Sequence, residues 1–178
     1  MGDFWVFGYG SLMWKPGFAH VETARARLYG YRRALCIRSH IHRGTPQHPG
    51  LVLGLDRGGS CLGLAFRVPG DLADEALAYL RARELVTHVY LERRLPLRLG
   101  DGRSVEAVVY VADRLHGQYA GALPAERAAE IVAQASGQSG PNVDYVTSTV
   151  DHLRKMGIRD HWLESVAAMI GGSDETCA

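Results

Sequence analysis

The chain has 178 residues, of which 47% are hydrophobic and 22% charged, and its formal net charge is +1. That length and composition fit one domain, residues 1–178, with a sizeable core. A near-neutral charge, with arginines scattered among carboxylates, gives no reason to expect nucleic acid or an anionic membrane as a partner.

Cys36, Cys61 and Cys177 are odd in number and lack CxxC spacing. They point to free thiols in a reducing cytosol, not to a disulfide frame. The opening "MGDFWVFGYG" has no basic n-region and no long apolar core, so no secretory signal is expected. No apolar run approaches the length of a membrane span. A cytoplasmic location follows as an expectation. The last residues, "GGSDETCA", read as a frayed tail, and Cys177 is not in a prenylation box.

Residues 4–7, Phe-Trp-Val-Phe, read as a buried strand, and 28–37 as a strand exposed on one face. Residues 39–50, "SHIHRGTPQHPG", form a long loop by their prolines, glycines and histidines. Residues 51–55 and 61–68 are expected to make a hairpin around Asp56-Arg57-Gly58-Gly59. Asp71 is placed to N-cap a helix running to about residue 85. A second hairpin turns at Gly100-Asp101-Gly102, with Leu95, Leu97 and Leu99 on one face. Pro96 demotes its first strand to an edge or to an irregular start. Pro124 opens a helix that Gly137 closes. Asn142 caps the next, which Gly157 closes, and Asp160 caps a third that ends before Gly171-Gly172. The fold class is α+β: a small mixed curled sheet or barrel with packed helices and a helical C-terminal segment.

Two features carry chemistry. The first is "FGYGSLMW", residues 7–14, where an aromatic strand ends in a glycine-rich turn. Glycines at 8 and 10 allow backbone N–H groups to approach an anion without a side chain between them, and Ser11 adds a hydroxyl. A dinucleotide reading is weak, since the third glycine is missing and no clear βαβ unit follows, and Lys15 is not preceded by the loop a P-loop requires. The alternative is a tight bend whose far end Trp14 anchors in the core. The second feature is Glu84. It lies seven residues after Leu77 and four after Leu80, on the apolar stripe of its helix and in the last turn. Burial and the helix dipole both disfavour its charge, which raises the pKa toward the range of a general acid–base, whereas Arg81 and Arg83 oppose that. The alternative is a plain ion pair with a neighbouring arginine.

Other candidates carry less. His40, His42 and His48 match no standard metal spacing and have no adjacent acidic or thiol ligand. Cys61 opens an apolar strand and reads as a buried thiol. Tyr145 lies near the start of its helix, at the edge of the apolar face made by Val146, Val150 and Leu153.

Taken in order, "FGYGSLMW", "RGTPQHPG", "CLGLAFRV", "RELVTHVY" and "ASGQSGPNVDYV" followed by "LRKMGIRD" resemble the motifs of the ChaC-type γ-glutamylcyclotransferases, the glutathione-specific branch of their superfamily. The departures are Gln47, where a glutamate is frequent, and His88 after Thr87, where a glycine is common. The resemblance implies cleavage of glutathione to 5-oxoproline and cysteinylglycine, with no metal or organic cofactor. It implies that Glu84 is the catalytic glutamate. By the same resemblance Tyr9, Gly10, Ser11 and Leu12 hold the γ-glutamyl group, and Tyr145 faces the site. Arg43, or Arg38 before the loop, is the candidate to meet the glycine carboxylate. A cyclotransferase for another γ-glutamyl amine, and a non-catalytic regulator associated with cation transport, are the alternatives; an intact Glu84 and glycine turn argue against the second.

Overall fold

Alternating and continuous apolar runs build five long strands: β1 (Phe4–Gly8), β2 (Glu22–Ser39), β3 (Gly50–Val68), β4 (Tyr90–Leu99) and β5 (Ser104–Ala112). They come from a computed structural model that describes residues 2–172; Cys177 and most of the tail expected to fray lie outside the described residues. The strands close into a barrel in the order β1-β3-β2-β4-β5. β1 runs antiparallel to β3 and parallel to β5, with Trp5 opposite Ala107 and Val6 opposite Val108. Closure removes sheet edges, and residues 107–111 of β5 are buried without a break.

Two compact units divide the chain: Met1–Arg33 with Leu55–His116, and Ala34–Gly54 with Gly117–Ala178. In the first, a short 3₁₀ turn at Gly70–Leu72 leads into α1 (Ala73–Glu84). Ala73, Ala76, Leu77 and Leu80 fall on one helical stripe and pack with Phe4, Val6, Leu12, Val68, Val108 and Tyr110. Burying a leucine of this kind contributes about 1.5–3 kcal/mol. In the second unit α2 (Ala125–Gln134), α3 (Asn142–Lys155) and α4 (His161–Gly171) pack on one another. A two-residue ladder, β6 (Ser136–Gly137) with β7 (Gly140–Pro141), precedes α3.

Several local expectations are corrected. The hairpin at 56–59 does not form, because β3 continues through it. Gly58 and Gly59 take φ of +105° and +64°, which bends one long strand as a bulge does instead of reversing it. β4 is not an edge, since it pairs with β5 along its length and with β2 at Leu97–Leu99; Pro96 sits one residue before the β2 pairing and so withholds no ladder donor there. Asp71 does not cap α1. It lies inside the 3₁₀ turn, whose Leu72 N–H donates to Pro69 O at 3.0 Å and delivers the chain into the helix. Gly137 does not close α2, which ends at Gln134; it pairs with Gly140 instead.

Asn142 is not a cap but the first residue of α3, fully buried. Its side chain accepts from Leu51 N–H at 2.7 Å and donates to Leu51 O at 2.8 Å, closing a two-bond clamp on the β3 backbone. Two helix ends form as expected. The Asp160 carboxylate accepts from Leu163 N–H at 3.0 Å. Gly157 and Ile158 donate to Arg154 O and Leu153 O, each at 2.9 Å, closing α3.

Asn142→Ala leaves both backbone groups of Leu51 unpaired away from water. The expected cost is about 2–4 kcal/mol, read as a lower urea midpoint with an unchanged slope. A midpoint within error of wild type would show that the clamp adds nothing.

Candidate active site

Glu84 is the last residue of α1, and its side chain is 18% exposed. The helix puts it there by the same stripe that buries Leu77 and Leu80. Leu85 N–H donates to Arg81 O at 3.0 Å and ends the helix, so the carboxylate stands at the negative end of the dipole. Burial pushes its pKa above the ordinary glutamate value, and the charge of Arg83 opposes the rise. Arg83 Nε lies 3.2 Å from Glu84 Oε1. The expected opposition from Arg81 does not occur. That guanidinium grips Glu92 of β4 through two bonds of 2.9 and 2.8 Å. Glu92 also accepts from the buried Tyr110 hydroxyl at 3.1 Å. Burial, followed by the charge of Glu92, raises the Tyr110 pKa and keeps the phenol protonated.

The glycine turn closes on itself. Ser11–Met13 is a 3₁₀ turn in which Met13 N–H donates to Gly10 O at 2.9 Å and Lys15 N–H to Ser11 O at 2.8 Å. The N–H groups of Gly10, Ser11 and Leu12 take no part in that ladder. Gly8 is favoured by crowding: a Cβ there would stand 3.2 Å from Leu12 Cβ and 3.3 Å from Met13 Cγ, so these neighbours would have to give way. Tyr9 is buried, and its carbonyl accepts from Arg33 Nε at 2.6 Å. Leu12 and Met13 pin the turn at 6% and 5% exposure. Trp14, expected to be the anchor, is only half-buried. Ser11 is exposed, and its hydroxyl accepts from Arg83 Nη2 at 2.8 Å.

In the first unit the structure therefore ties the glycine turn to Glu84 through Arg83. The sequence suggested Arg83 only as a charge beside Glu84. Only its contact with Tyr79 was legible, in the i, i+4 spacing that puts both on one helix face. Arg33, an arginine inside an apolar strand, gave a weaker signal.

Arg43 and Tyr145 belong to the second unit, where the Arg43 guanidinium lies 5.7 Å over the Tyr145 ring. Arg43 Nη1 donates to Pro141 O at 3.1 Å. The Tyr145 hydroxyl accepts from Leu53 N–H at 3.0 Å, a partner with no side-chain signature in the sequence. Arg38 is exposed on β2. Among the described residues no three His, Cys, Asp or Glu side chains gather as a metal site; His42 Nδ1 meets Ser139 Oγ at 3.0 Å. No helix among them is long and apolar enough to cross a membrane. Cys36 and Cys61 are buried free thiols.

A family model described as ChaC-like protein matches residues 4–172. The chain belongs to the ChaC-like family. An Escherichia coli K12 protein named glutathione-specific gamma-glutamylcyclotransferase is 38% identical, covering 95% of this chain and 73% of that one. A mouse protein named glutathione-specific gamma-glutamylcyclotransferase 1 is 34% identical over 94% of this chain and 78% of its own. A Schizosaccharomyces pombe protein bearing the same name as the E. coli one is 31% identical, with 87% and 85% covered. The crystal structure of a yeast γ-glutamylcyclotransferase specific to glutathione superposes with a TM-score of 0.85 at 22% identity, covering 97% of this chain and 99% of that one; this is a likeness of fold. The loop departure noted for the family has a conformational counterpart: His88 takes φ of +57°, a region where glycine carries no steric cost and a histidine does.

The raised pKa of Glu84 has a definite sign in stability. The fold holds the proton more tightly than the unfolded chain does. Stability is therefore lost as pH rises from the ordinary carboxylate range through the raised value. Glu84→Gln removes that loss, and Arg83 keeps its bonds to Ser11, Lys15 and Tyr79. Melting at neutral pH should be equal to or above wild type, with the difference closing below about pH 4. A lower melting temperature at neutral pH would mean that the ion pair outweighs burial.

Proposed function

We propose that this chain is a glutathione-specific γ-glutamylcyclotransferase, with residues 1–178 acting as one functional domain and Glu84 as the proton carrier. The observation that carries the reading is a buried glutamate of raised proton affinity, tied through one guanidinium to a glycine turn, in a chain 38% identical to a relative of that name. The family match spans residues 4–172 and so includes both units.

The substrate's own α-amine attacks its own γ-carbonyl and closes a five-membered lactam. Because the nucleophile is intramolecular, orientation alone can lower the barrier by about 7–11 kcal/mol in favourable systems. No metal or organic cofactor is needed for that step. A free α-amine has a pKa of about 7.7–8.0 and is mostly protonated at neutral pH. Glu84 takes one proton from the ammonium and the amine adds to the carbonyl. Glu84 returns its proton to the cysteine nitrogen as that bond breaks, and the second proton on the ring nitrogen passes through solvent to the freed amine, which leaves as an ammonium. 5-Oxoproline and cysteinylglycine leave. Tyr9, Gly10, Ser11 and Leu12 are proposed to hold the γ-glutamyl group, Tyr9 and Leu12 through their backbone because their side chains are buried. Oriented N–H donors stabilise an oxygen that gains charge as well as a carboxylate. Tyr145 and Arg43 are proposed as substrate-binding residues. Arg43 commits Nη1 to Pro141 and keeps the rest of its fork for the glycine carboxylate. The reaction is proposed to take place in the cytoplasm, where glutathione is reduced, without a membrane or nucleic-acid partner.

The test is product analysis. Purified protein with glutathione should release 5-oxoproline, and glutathione N-acetylated on the γ-glutamyl amine should not react. An α-linked Glu-Cys-Gly peptide should also fail, since attack there would close a three-membered ring. Glu84→Gln should lose about 100- to 10,000-fold in turnover. Free glutamate as the initial product, or near-normal turnover by Glu84→Gln, would sink the reading. A faster reaction with a γ-glutamyl compound carrying another leaving group would keep the mechanism and change the substrate.

A further inference from the structure

Arg83 reaches the glycine turn and Glu84 with one side chain. Its Nη2 donates to Ser11 Oγ at 2.8 Å, and its Nη1 to Lys15 O at 2.7 Å and to the Tyr79 hydroxyl at 3.2 Å. Its Nε lies 3.2 Å from Glu84 Oε1. Tyr79, one turn earlier on α1, is packed so closely on Gly17 that any Cβ there would collide with its hydroxyl. The loop from Ser11 to Gly17 is thus fastened to α1 at three points.

A guanidinium has donors and no acceptor. Ser11 Oγ must therefore receive a hydrogen from Arg83, and its own hydroxyl hydrogen is left to act as a donor elsewhere. An exposed serine that is fixed as a donor suits a carboxylate or a carbonyl oxygen. The same fork that fixes it also holds one oxygen of the carboxylate at the end of α1.

We propose that Arg83 is a positioning residue: one rigid guanidinium sets the Ser11 hydroxyl as a donor toward the γ-glutamyl group and holds the Glu84 carboxylate in register with it. The inference rests on the proposed role of Glu84 as proton carrier. Lysine cannot reproduce it, since an ammonium is a point charge without a planar fork. The groups bearing on Glu84 within its unit are few. Arg83 stands on its own helix. Tyr110 of β5, close enough to feel its charge, is neutral and bonded to Glu92 of β4, whose charge is matched by Arg81. Arg83 is therefore the cation whose removal moves the titration of Glu84, and the movement is upward.

The experiment measures kcat and KM for 5-oxoproline formation from about pH 5 to pH 9, in wild type, Arg83→Gln, Arg83→Lys, Ser11→Ala and the Ser11→Ala/Arg83→Gln pair. Arg83→Gln should raise KM roughly tenfold, as loss of one charge-assisted bond implies, and shift the acid limb of kcat to higher pH. Arg83→Lys should leave that limb near wild type and still raise KM. Ser11→Ala should raise KM by a similar factor, and the pair should be little worse than either single change, because both break one contact. An Arg83→Gln enzyme with wild-type KM and an unmoved limb overturns the proposal. So do an Arg83→Lys enzyme that matches wild type in KM, and fully additive effects in the pair. Should Arg83→Gln not fold, Ser11→Ala decides: unchanged KM overturns it. Glu84→Gln separates the two levels. If it turns over, this inference falls together with the proposed function. If it is inactive while the Arg83 variants behave as wild type, only this inference falls.

Discussion

Glu84 can be held largely out of water only because the rest of its helical stripe is committed to the barrel. Leu77 and Leu80, with Ala73 and Ala76, fix the rotation of α1 and so keep its last residue on the buried stripe. Each leucine contributes about 1.5–3 kcal/mol of burial. That is enough to offset the cost of a partly desolvated carboxylate, which the nearby Arg83 charge reduces further. The barrel supplies the other side of the contact. Phe4, Val6, Val68 and Val108 come from three strands whose order is fixed by closure, so the position of α1 depends on the whole sheet.

The glycine turn follows from the same constraint. β1 ends at Gly8 inside the barrel wall, and the turn must fold back at once for Leu12 to join the cluster that α1 covers. Gly8 makes room for that reversal, and Arg33 and Arg83 hold the turn at two points, the Tyr9 carbonyl and the Ser11 hydroxyl. The second unit solves a different problem. Asn142 and Tyr145, one turn apart on α3, each bond to the backbone of β3, at Leu51 and Leu53. Their two-residue offset matches the strand repeat, so both bonds fall on one edge of the strand.

The legible parts of this molecule are those set by periodicity or by a single residue's chemistry. The stripe under Glu84, the Gly100–Gly102 turn, the Asp160 cap and the end of α3 at Gly157 were all written in spacing. What escaped was decided by partners far away in sequence. Asp56-Arg57-Gly58-Gly59 has the composition of a hairpin turn, yet the strand runs on. The Asp56 carboxylate, fully buried, meets Arg32 at 3.3 Å and Arg114 at 2.9 Å, contacts that a surface turn would not supply. Asn142 has the composition of a cap, but Leu51 claims its side chain. At the candidate site, the burial of Glu84 followed from its place on the helix, whereas the reach of Arg83 to Ser11 spans a separation of 72 residues that no local pattern encodes.

An ordinary glutamate, with a pKa near 4.3, is a poor match for an amine near 7.7–8.0; the gap of about 3.5 units corresponds to about 5 kcal/mol of unfavourable proton transfer. Burial at a helix C-terminus narrows that gap from the carboxylate side. Burial without limit would be as harmful, because a glutamate that never ionises at neutral pH cannot accept the proton. Arg83 supplies the limit: its charge opposes the upward shift, and its other contacts keep it from moving away. The environment of Glu84 is thus a balance of two opposed effects on one carboxylate. The balance is held by a cation that is itself anchored to the turn where the substrate's charge is proposed to sit. Coupling the two in one side chain means that a disturbance of the turn also disturbs the proposed proton carrier, which is the arrangement expected where binding and proton transfer must occur in the same geometry.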